Sequence, residues 1–259
     1  MKTSEYLEKK RINVLGYPVD VVDKERSLEI VKENIKNNKQ LHIITLNPEM
    51  IINAQKNEEL SNAIYNSELV IPDGSGILLA FIIKGIKSLN TVPGIELAED
   101  TIEYCSENQL EIALLGATEE VSLAVKERLE NKYPGIKIVY RANGYFTEEE
   151  NIAKNIAAKT PRLLLVALGV PKQEIWIHRN KNLFPNTIII GVGGSFDVWS
   201  GKVKRAPAFF RTLKIEWLYR LVKEPFRAKR ILFALPYYTI QLLFDSLRSL
   251  LSIKMALFN

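Results

Sequence analysis

A chain of 259 residues, 47% apolar and 25% charged, can bury one large core and has the wrong composition for a disordered protein. Its single cysteine, Cys105, excludes an intramolecular disulfide and fits a reducing compartment. The net charge of +5 is uneven: residues 202–259 hold twelve of the 35 Lys and Arg but only Glu216, Glu224 and Asp245 among the acids, a net of +9 against −4 for residues 1–201.

The first stretch, MKTSEYLEKKRINVLG, is charged and lacks an apolar run, so no signal peptide is expected. Beyond it, short apolar runs alternate with longer amphipathic ones. Strands are predicted at 41–45, 68–71, 111–116, 136–140, 162–169 and 187–194. Helical patterns fall at 25–38, 95–107, 119–132 and 148–158, and Thr147 with Glu150 has the spacing of a capping box. Near-continuous apolar strands separated by helices predict an α/β fold, a mostly parallel sheet with helices on both faces. Residues 1–201 would form this body and residues 202–259 a helical, basic appendage. Within the appendage Pro225 should end one helix and begin another. No repeat or low-complexity segment interrupts the chain.

The last segment, ILFALPYYTIQLLFDSLRSLLSIKMALFN, is apolar but broken by Pro236, Gln241, Asp245, Arg248 and Lys254. It lacks the run of about 20 apolar residues that a spanning helix needs. Two readings stand side by side: an amphipathic helix lying on a membrane, and a terminal helix packed on the sheet or on a second subunit. A basic tail on a mildly acidic body points to phosphate, of lipid, nucleic acid or a diphosphate ligand, with a solvated basic face as the bland alternative.

In a parallel sheet, ligands bind beyond the carboxyl ends of the strands. Those ends are T-L-N-P (45–48), P-D-G-S-G (72–76), L-G-A-T (115–118), G-V-P-K-Q-E (169–174) and G-V-G-G-S-F-D (191–197). Gly191, Gly193 and Gly194 resemble a dinucleotide fingerprint, but Phe196 occupies the third glycine's place, and no P-loop GK[ST] occurs. A turn able to cradle phosphate or ribose survives, or simply a tight turn. His42 and His178 have no ligand-spaced partner and no Asp-x-Asp pair occurs, so no metal is expected and Lys, Arg and helix N-termini would neutralise a phosphate. Lys172 and Gln173 open a Pro-started helix. The amide of Gln173 suits a sugar hydroxyl or a uracil edge, whereas Lys172 alone is better read as solvated. Asp73 is either the cap of the helix that follows it or a general base at a strand end; spacing alone favours the cap.

The combination of T-L-N-P-E (45–49), V-I-P-D-G-S-G (70–76), V-P-G-I-E-L (92–97), L-L-G-A (114–117), N-G-Y-F (143–146), V-A-L-G-V-P-K-Q-E-x-W (166–176), G-V-G-G-S-F-D (191–197), G-K-V-K-R-A-P (201–207) and E-W-L-Y-R-L-x-x-E-P-x-R-x-x-R (216–230) resembles the WecG/TagA/CpsF glycosyltransferases, in the same order over nearly the whole chain. The last motif points to the wall teichoic acid members. The resemblance implies an inverting, metal-independent transferase of the GT-E fold that needs no cofactor. It would move N-acetylmannosamine from UDP-N-acetylmannosamine to the 4-hydroxyl of undecaprenyl-diphosphate-linked N-acetylglucosamine, forming a β-1,4 bond.

By the same resemblance the catalytic carboxylate falls on Asp73, the active-site threonine on Thr45, the amide of the K-Q-E segment on Gln173, and the essential appendage arginines on Arg220, Arg227 and Arg230. Asn47, Gly74, Gly94, Gly169, Lys172, Gly193, Gly194 and Asp197, in the matching strand-end motifs, complete the expected substrate-binding set. One departure stands out: many relatives carry an arginine where this chain has Thr91, and if that arginine holds the donor or acceptor diphosphate, another cation must serve here. The arginine forks would meet diphosphate. The other cations and aromatics of the tail would hold the protein at the anionic inner face of the bacterial cell membrane as a peripheral cytoplasmic protein. The tail also offers a surface for self-association. Rival readings are a related transferase using another UDP-sugar, glucose or N-acetylmannosaminuronic acid, a basic-tailed nucleic-acid binder, and a nicotinamide oxidoreductase. The apolar end of the tail argues against nucleic acid, and the broken glycine fingerprint against nicotinamide.

Overall fold

A computed structural model describes residues 11–86, 90–207, 209–210, 218–219 and 233–248 of the protein. A hairpin, β1 (Arg11–Val14) and β2 (Tyr17–Asp20), leads into α1 (Lys24–Lys36), β3 (Leu41–Leu46), α2 (Pro48–Ala54), α3 (Glu58–Tyr65) and β4 (Leu69–Pro72). Then come α4 (Ser75–Ile83), α5 (Gly94–Glu107), β5 (Glu111–Gly116), α6 (Glu119–Lys132), β6 (Lys137–Ala142), α7 (Glu149–Ala157), β7 (Leu163–Ala167), α8 (Lys172–Asn180), β8 (Ile188–Gly191) and α9 (Ser195–Trp199). A helical segment, 233–248, is the last part described.

Six strands form one sheet in the order β4-β3-β8-β7-β5-β6, every pair parallel. Their alternation explains both faces. Ile43, Leu69, Ile71 and Leu165 point into a cluster with α1, α5 and α6, while their neighbours Ile44 and Val70 pack with α2, α3 and α4, and Leu164 and Val166 with α7 and α8. All of these strand residues are buried. A strand covered on both sides reads as a continuous apolar run, which is why the sequence shows these strands so clearly.

The open edge of β4 is closed by the hairpin. Asp20, fully buried, receives Arg11 Nε at 2.8 Å and the Val70 amide at 2.7 Å, so a side chain satisfies a backbone donor that an edge strand would otherwise expose. The predicted capping box does not form. Glu148, not Thr147, is the N-cap of α7, and Glu150 turns to Lys154 at 2.7 Å, one helical turn on. That i,i+4 ion pair competes with the capping geometry for the same carboxylate.

Residues 233–248 lie against the body rather than apart from it. Ala234, Tyr238 and Leu242, spaced four apart and therefore on one helical face, join the cluster of Leu46, Met50, Ile51 and Phe81. Phe233, Tyr237, Ile240, Phe244 and Leu247 on the other side are exposed. Among the described residues no helix is long and apolar enough to cross a membrane.

Candidate active site

Three of the sequence motifs meet at the β4 edge of the sheet's carboxyl rim. The Asp73 amide donates to Leu46 O at 2.9 Å, carrying the β3–β4 ladder one residue past the strand. The Val92 amide donates to Pro72 O at 2.8 Å and fixes the V-P-G segment beside the same turn. Gly94 then brings the first turn of α5 directly over Thr45, where a Cβ built on it would lie 2.5 Å from Thr45 Cγ2; only glycine allows that approach. Thr45 pairs with Ile71 in register. Side chains alternate along a strand, so Thr45 and Ile71 are directed to the α5 side, and Asp73 follows in the turn just beyond β4.

Asp73 and Thr45 are both half-buried. Asp73 is not the cap that its spacing suggested: α4 begins at Ser75 with Gly74 as its N-cap. The carboxylate therefore lies in the turn ahead of the helix. Asn47, by contrast, is a cap, its side chain accepting the Met50 amide at 3.0 Å in the first turn of α2. Side chains also cap α1, α3 and α6. No side-chain cap closes α4, α5, α8 or α9, all of which begin at this rim; Glu96, Gln173 and Ser195 give their backbone amides to the carbonyls of Pro93, Gly169 and Val192, and the positive dipole ends of these helices face the rim.

Further along the rim, Gln173 is 2% exposed and its amide bonds to other groups of the protein. Oε1 accepts Gly169 N at 3.1 Å and Gly193 N at 3.0 Å, and Nε2 donates to Glu174 Oε1 at 2.8 Å. It ties the turn after β7 to the turn after β8. Glu174 is also buried, and desolvation raises its carboxyl to about 7. Its Oε2 has no hydrogen-bond partner. Gly194 is the N-cap of α9, and Asp197 in that helix is half-buried, with its carbonyl accepting Val203 N at 3.0 Å.

A cavity of about 450 Å³ opens beyond β5 and β7. Its lining includes Ala117, Leu168, Tyr145 and Trp176, with Lys172 and Arg179 alongside Glu59 and Glu149. The chain leaves β5 into α6 on one face of the sheet and leaves β7 into α8 on the other, which is where a crevice must form. Lys172 is exposed there, and Arg179 pairs with Glu59 at 2.5 Å. Three inter-strand steps separate β4 from β7, a distance of about 14 Å.

Arg205 is a site feature that the sequence reading did not single out. It reaches back to Glu96 at 2.6 Å, in the first turn of α5, and so sets a guanidinium beside the segment where Thr91 stands. Its partner is 109 positions away, and no local pattern announces it. Arg220, Arg227 and Arg230 lie outside the described residues, as does Pro225. Burial takes the His42 imidazole down to about 3, leaving it neutral. Among the described residues no group of three or more His, Cys, Asp or Glu side chains is placed to hold a metal ion.

The sequence profile of the Glycosyl transferase WecG/TagA/CpsF family matches residues 12–251. The N-acetylglucosaminyldiphosphoundecaprenol N-acetyl-beta-D-mannosaminyltransferase of Bacillus spizizenii (strain ATCC 23059 / NRRL B-14472 / W23) is 35% identical over 206 residues, 80% of this chain and 80% of its own. The protein of that name from Bacillus subtilis (strain 168) is 36% identical over 201 residues, 78% of each chain. The one from Staphylococcus aureus (strain MW2) is 32% identical over 233 residues, 89% of this chain and 92% of that one.

Proposed function

The chain belongs to the WecG/TagA/CpsF glycosyltransferase family, and on that premise we propose that it transfers N-acetylmannosamine from its UDP donor to N-acetylglucosamine carried on undecaprenyl diphosphate. The observation that carries the reading is the meeting of Asp73, Thr45 and the V-P-G segment at one rim of a parallel sheet.

Asp73 takes the proton from the acceptor's 4-hydroxyl as its oxygen bonds to the sugar's anomeric carbon. The bond from that carbon to UDP breaks, its electron pair leaving on the β-phosphate, and the anomeric configuration inverts. A positioned base contributes about 10²–10⁴ in rate. Preorganised positive charge for the departing diphosphate is usually the larger effect. The positive ends of α4 and α5 supply part of it, and Arg205, held by Glu96, stands in for the cation that relatives carry at the position of Thr91. Arg220, Arg227 and Arg230 close the site from the appendage and bind diphosphate by bidentate forks. No metal is required for this scheme.

The cavity beyond β5 and β7 suits the nucleoside end of the donor in volume and in its aromatic lining, with Lys172 exposed beside it. An extended sugar nucleotide can span the three strand steps between β7 and β4. Gln173 serves by holding the two glycine turns between these ends rather than by touching the sugar. The protein works at the inner face of the membrane, where the outward row Phe233, Tyr237, Ile240, Phe244 and Leu247 enters the interface beside the basic residues of the tail.

Asp73→Asn tests the assignment. Binding of UDP should be undiminished and transfer to the lipid-linked acceptor nearly lost; a fully active variant would remove Asp73 from the chemistry. Turnover with UDP-glucose or UDP-N-acetylmannosaminuronic acid in place of UDP-N-acetylmannosamine would redirect the donor assignment within the same family.

A further inference from the structure

The helical segment 233–248 meets the body at the turn that carries Asp73. Tyr238 has no exposed surface, and its hydroxyl donates to Gly76 O at 3.0 Å. Gly76 is the second residue of α4, three positions after Asp73. Its other side is pressed against Pro48, the first residue of α2, where an added Cβ would lie 2.2 Å from Pro48 Cγ. The first turn of α4 is thus gripped between the T-L-N-P segment and the C-terminal helix. Burial raises the Tyr238 phenol, so it remains a donor.

The grip has further points of attachment. Gln241 and Gln55 exchange side-chain hydrogen bonds at 2.9 and 3.2 Å, beside the end of α2. Asp245 pairs with Lys84 at 3.6 Å, at the end of α4. The segment therefore straddles both helices that follow the Asp73 and Thr45 strand ends. Its opposite face is the exposed apolar row, so one helix touches both the outside and the turn of the base.

We propose that Tyr238 is a positioning residue for transfer: its hydroxyl couples the seating of the C-terminal helix to the geometry of the Asp73–Gly76 turn. The proposal rests on the reading of Asp73 as the base. A helix lifted from its groove withdraws the hydroxyl and leaves the α4 first turn with the Pro48 contact and the backbone bonds at Pro72 and Asp73. Seating the helix restores the turn, so the carboxylate is in working position only when the tail is docked.

Tyr238→Phe keeps the ring and its packing and removes only the hydroxyl. Two readouts on the full-length protein decide the matter. Hydrogen–deuterium exchange over residues 73–80, which needs no turnover, should quicken by about 3–10-fold, the effect of one neutral hydrogen bond, with β5–β7 peptides unchanged. Transfer from UDP-N-acetylmannosamine to a short-chain, water-soluble N-acetylglucosaminyl lipid diphosphate should lose about tenfold in kcat. The KM for donor and the partition onto anionic vesicles should stay at wild-type values. Unchanged exchange at 73–80, or unchanged kcat despite quicker exchange, overturns the proposal, and so does an equal loss in vesicle binding, which would make the hydroxyl part of the anchor. If Asp73→Asn is fully active, the base assignment falls and takes the catalytic role of Tyr238 with it, while the exchange result still reports the contact.

Discussion

Gln173 Oε1 accepts the backbone amide of Gly193 at 3.0 Å, across the boundary between β7 and β8. The same oxygen accepts Gly169 N at 3.1 Å. A leucine at position 173 keeps the volume and removes both bonds, leaving two donors short of an acceptor at about 1–3 kcal/mol each. Gln173→Leu should therefore lower unfolding free energy by roughly 2–4 kcal/mol in urea titrations and reduce transfer along with it. Normal stability with lost turnover would instead mean that the amide touches substrate.

Glu174, next along α8, titrates against the fold. Its folded pKa, about 7, lies above the ordinary 4.5 because burial disfavours the charged form. The folded protein holds that proton more tightly than the unfolded chain does. Its contribution is thus complete below about pH 4.5 and is lost as pH rises through 7. Buried His42, lowered from 6.5 to about 3, shifts stability the opposite way as pH rises, so Glu174 is read by difference: between pH 5 and 8 the Tm of the wild type should fall relative to that of Glu174→Gln. Equal slopes in the two proteins would place the titration elsewhere.

Gly94 and Thr45 form a pair that a double-mutant cycle can read. A Cβ at position 94 falls 2.5 Å from Thr45 Cγ2, so Gly94→Ala must displace α5 or the strand end, at about 1–3 kcal/mol. Thr45→Ser removes that methyl and keeps the hydroxyl. The double variant should regain a large part of the stability lost by Gly94→Ala, with a coupling of about 1 kcal/mol or more. Simple additivity would show that the two residues do not press on each other.

These pairs mark where the sequence was legible and where it was not. Strands β3, β4, β5, β7 and β8 stood out because burial on both faces makes each a near-continuous apolar run, the half-buried edge strand β6 through its β-branched and aromatic residues, and α1, α5, α6 and α7 because their apolar positions recur along one face. The β1–β2 hairpin escaped because four-residue strands with mixed burial carry little period, and its anchor is the long-range bond from Val70 to Asp20. Motif positions located the rim but not the work of each side chain. Asn47 proved to be a cap and Asp73 not to be one, a distinction set by where the helix starts. The amide of Gln173 was visible, but the Gly193 N–H that donates to it lies twenty positions on and across a strand boundary. In 233–248, positions 234, 238 and 242 are apolar, as are 233, 237, 240, 244 and 247. Only the packed structure separates the set that docks from the set that faces outward.

That outward set yields the last prediction. Phe233 is 78% exposed and Phe244 63% exposed, an unusual state for phenylalanine on a helix already anchored by its other face. If the row enters a bilayer interface, each ring contributes about 1.5–3 kcal/mol of apolar transfer. Phe233→Ser with Phe244→Ser should then weaken partition onto anionic vesicles by about a hundredfold, since every 1.4 kcal/mol is tenfold. The loss should persist in high salt, which screens the Lys and Arg contribution but leaves apolar burial intact. Transfer to an acceptor embedded in vesicles should fall with partition, while transfer to a water-soluble acceptor stays near wild type, because neither ring faces the Tyr238 side that reaches Gly76. Unaltered flotation with a shift in sedimentation toward monomer would show instead that a second copy of the chain covers this row.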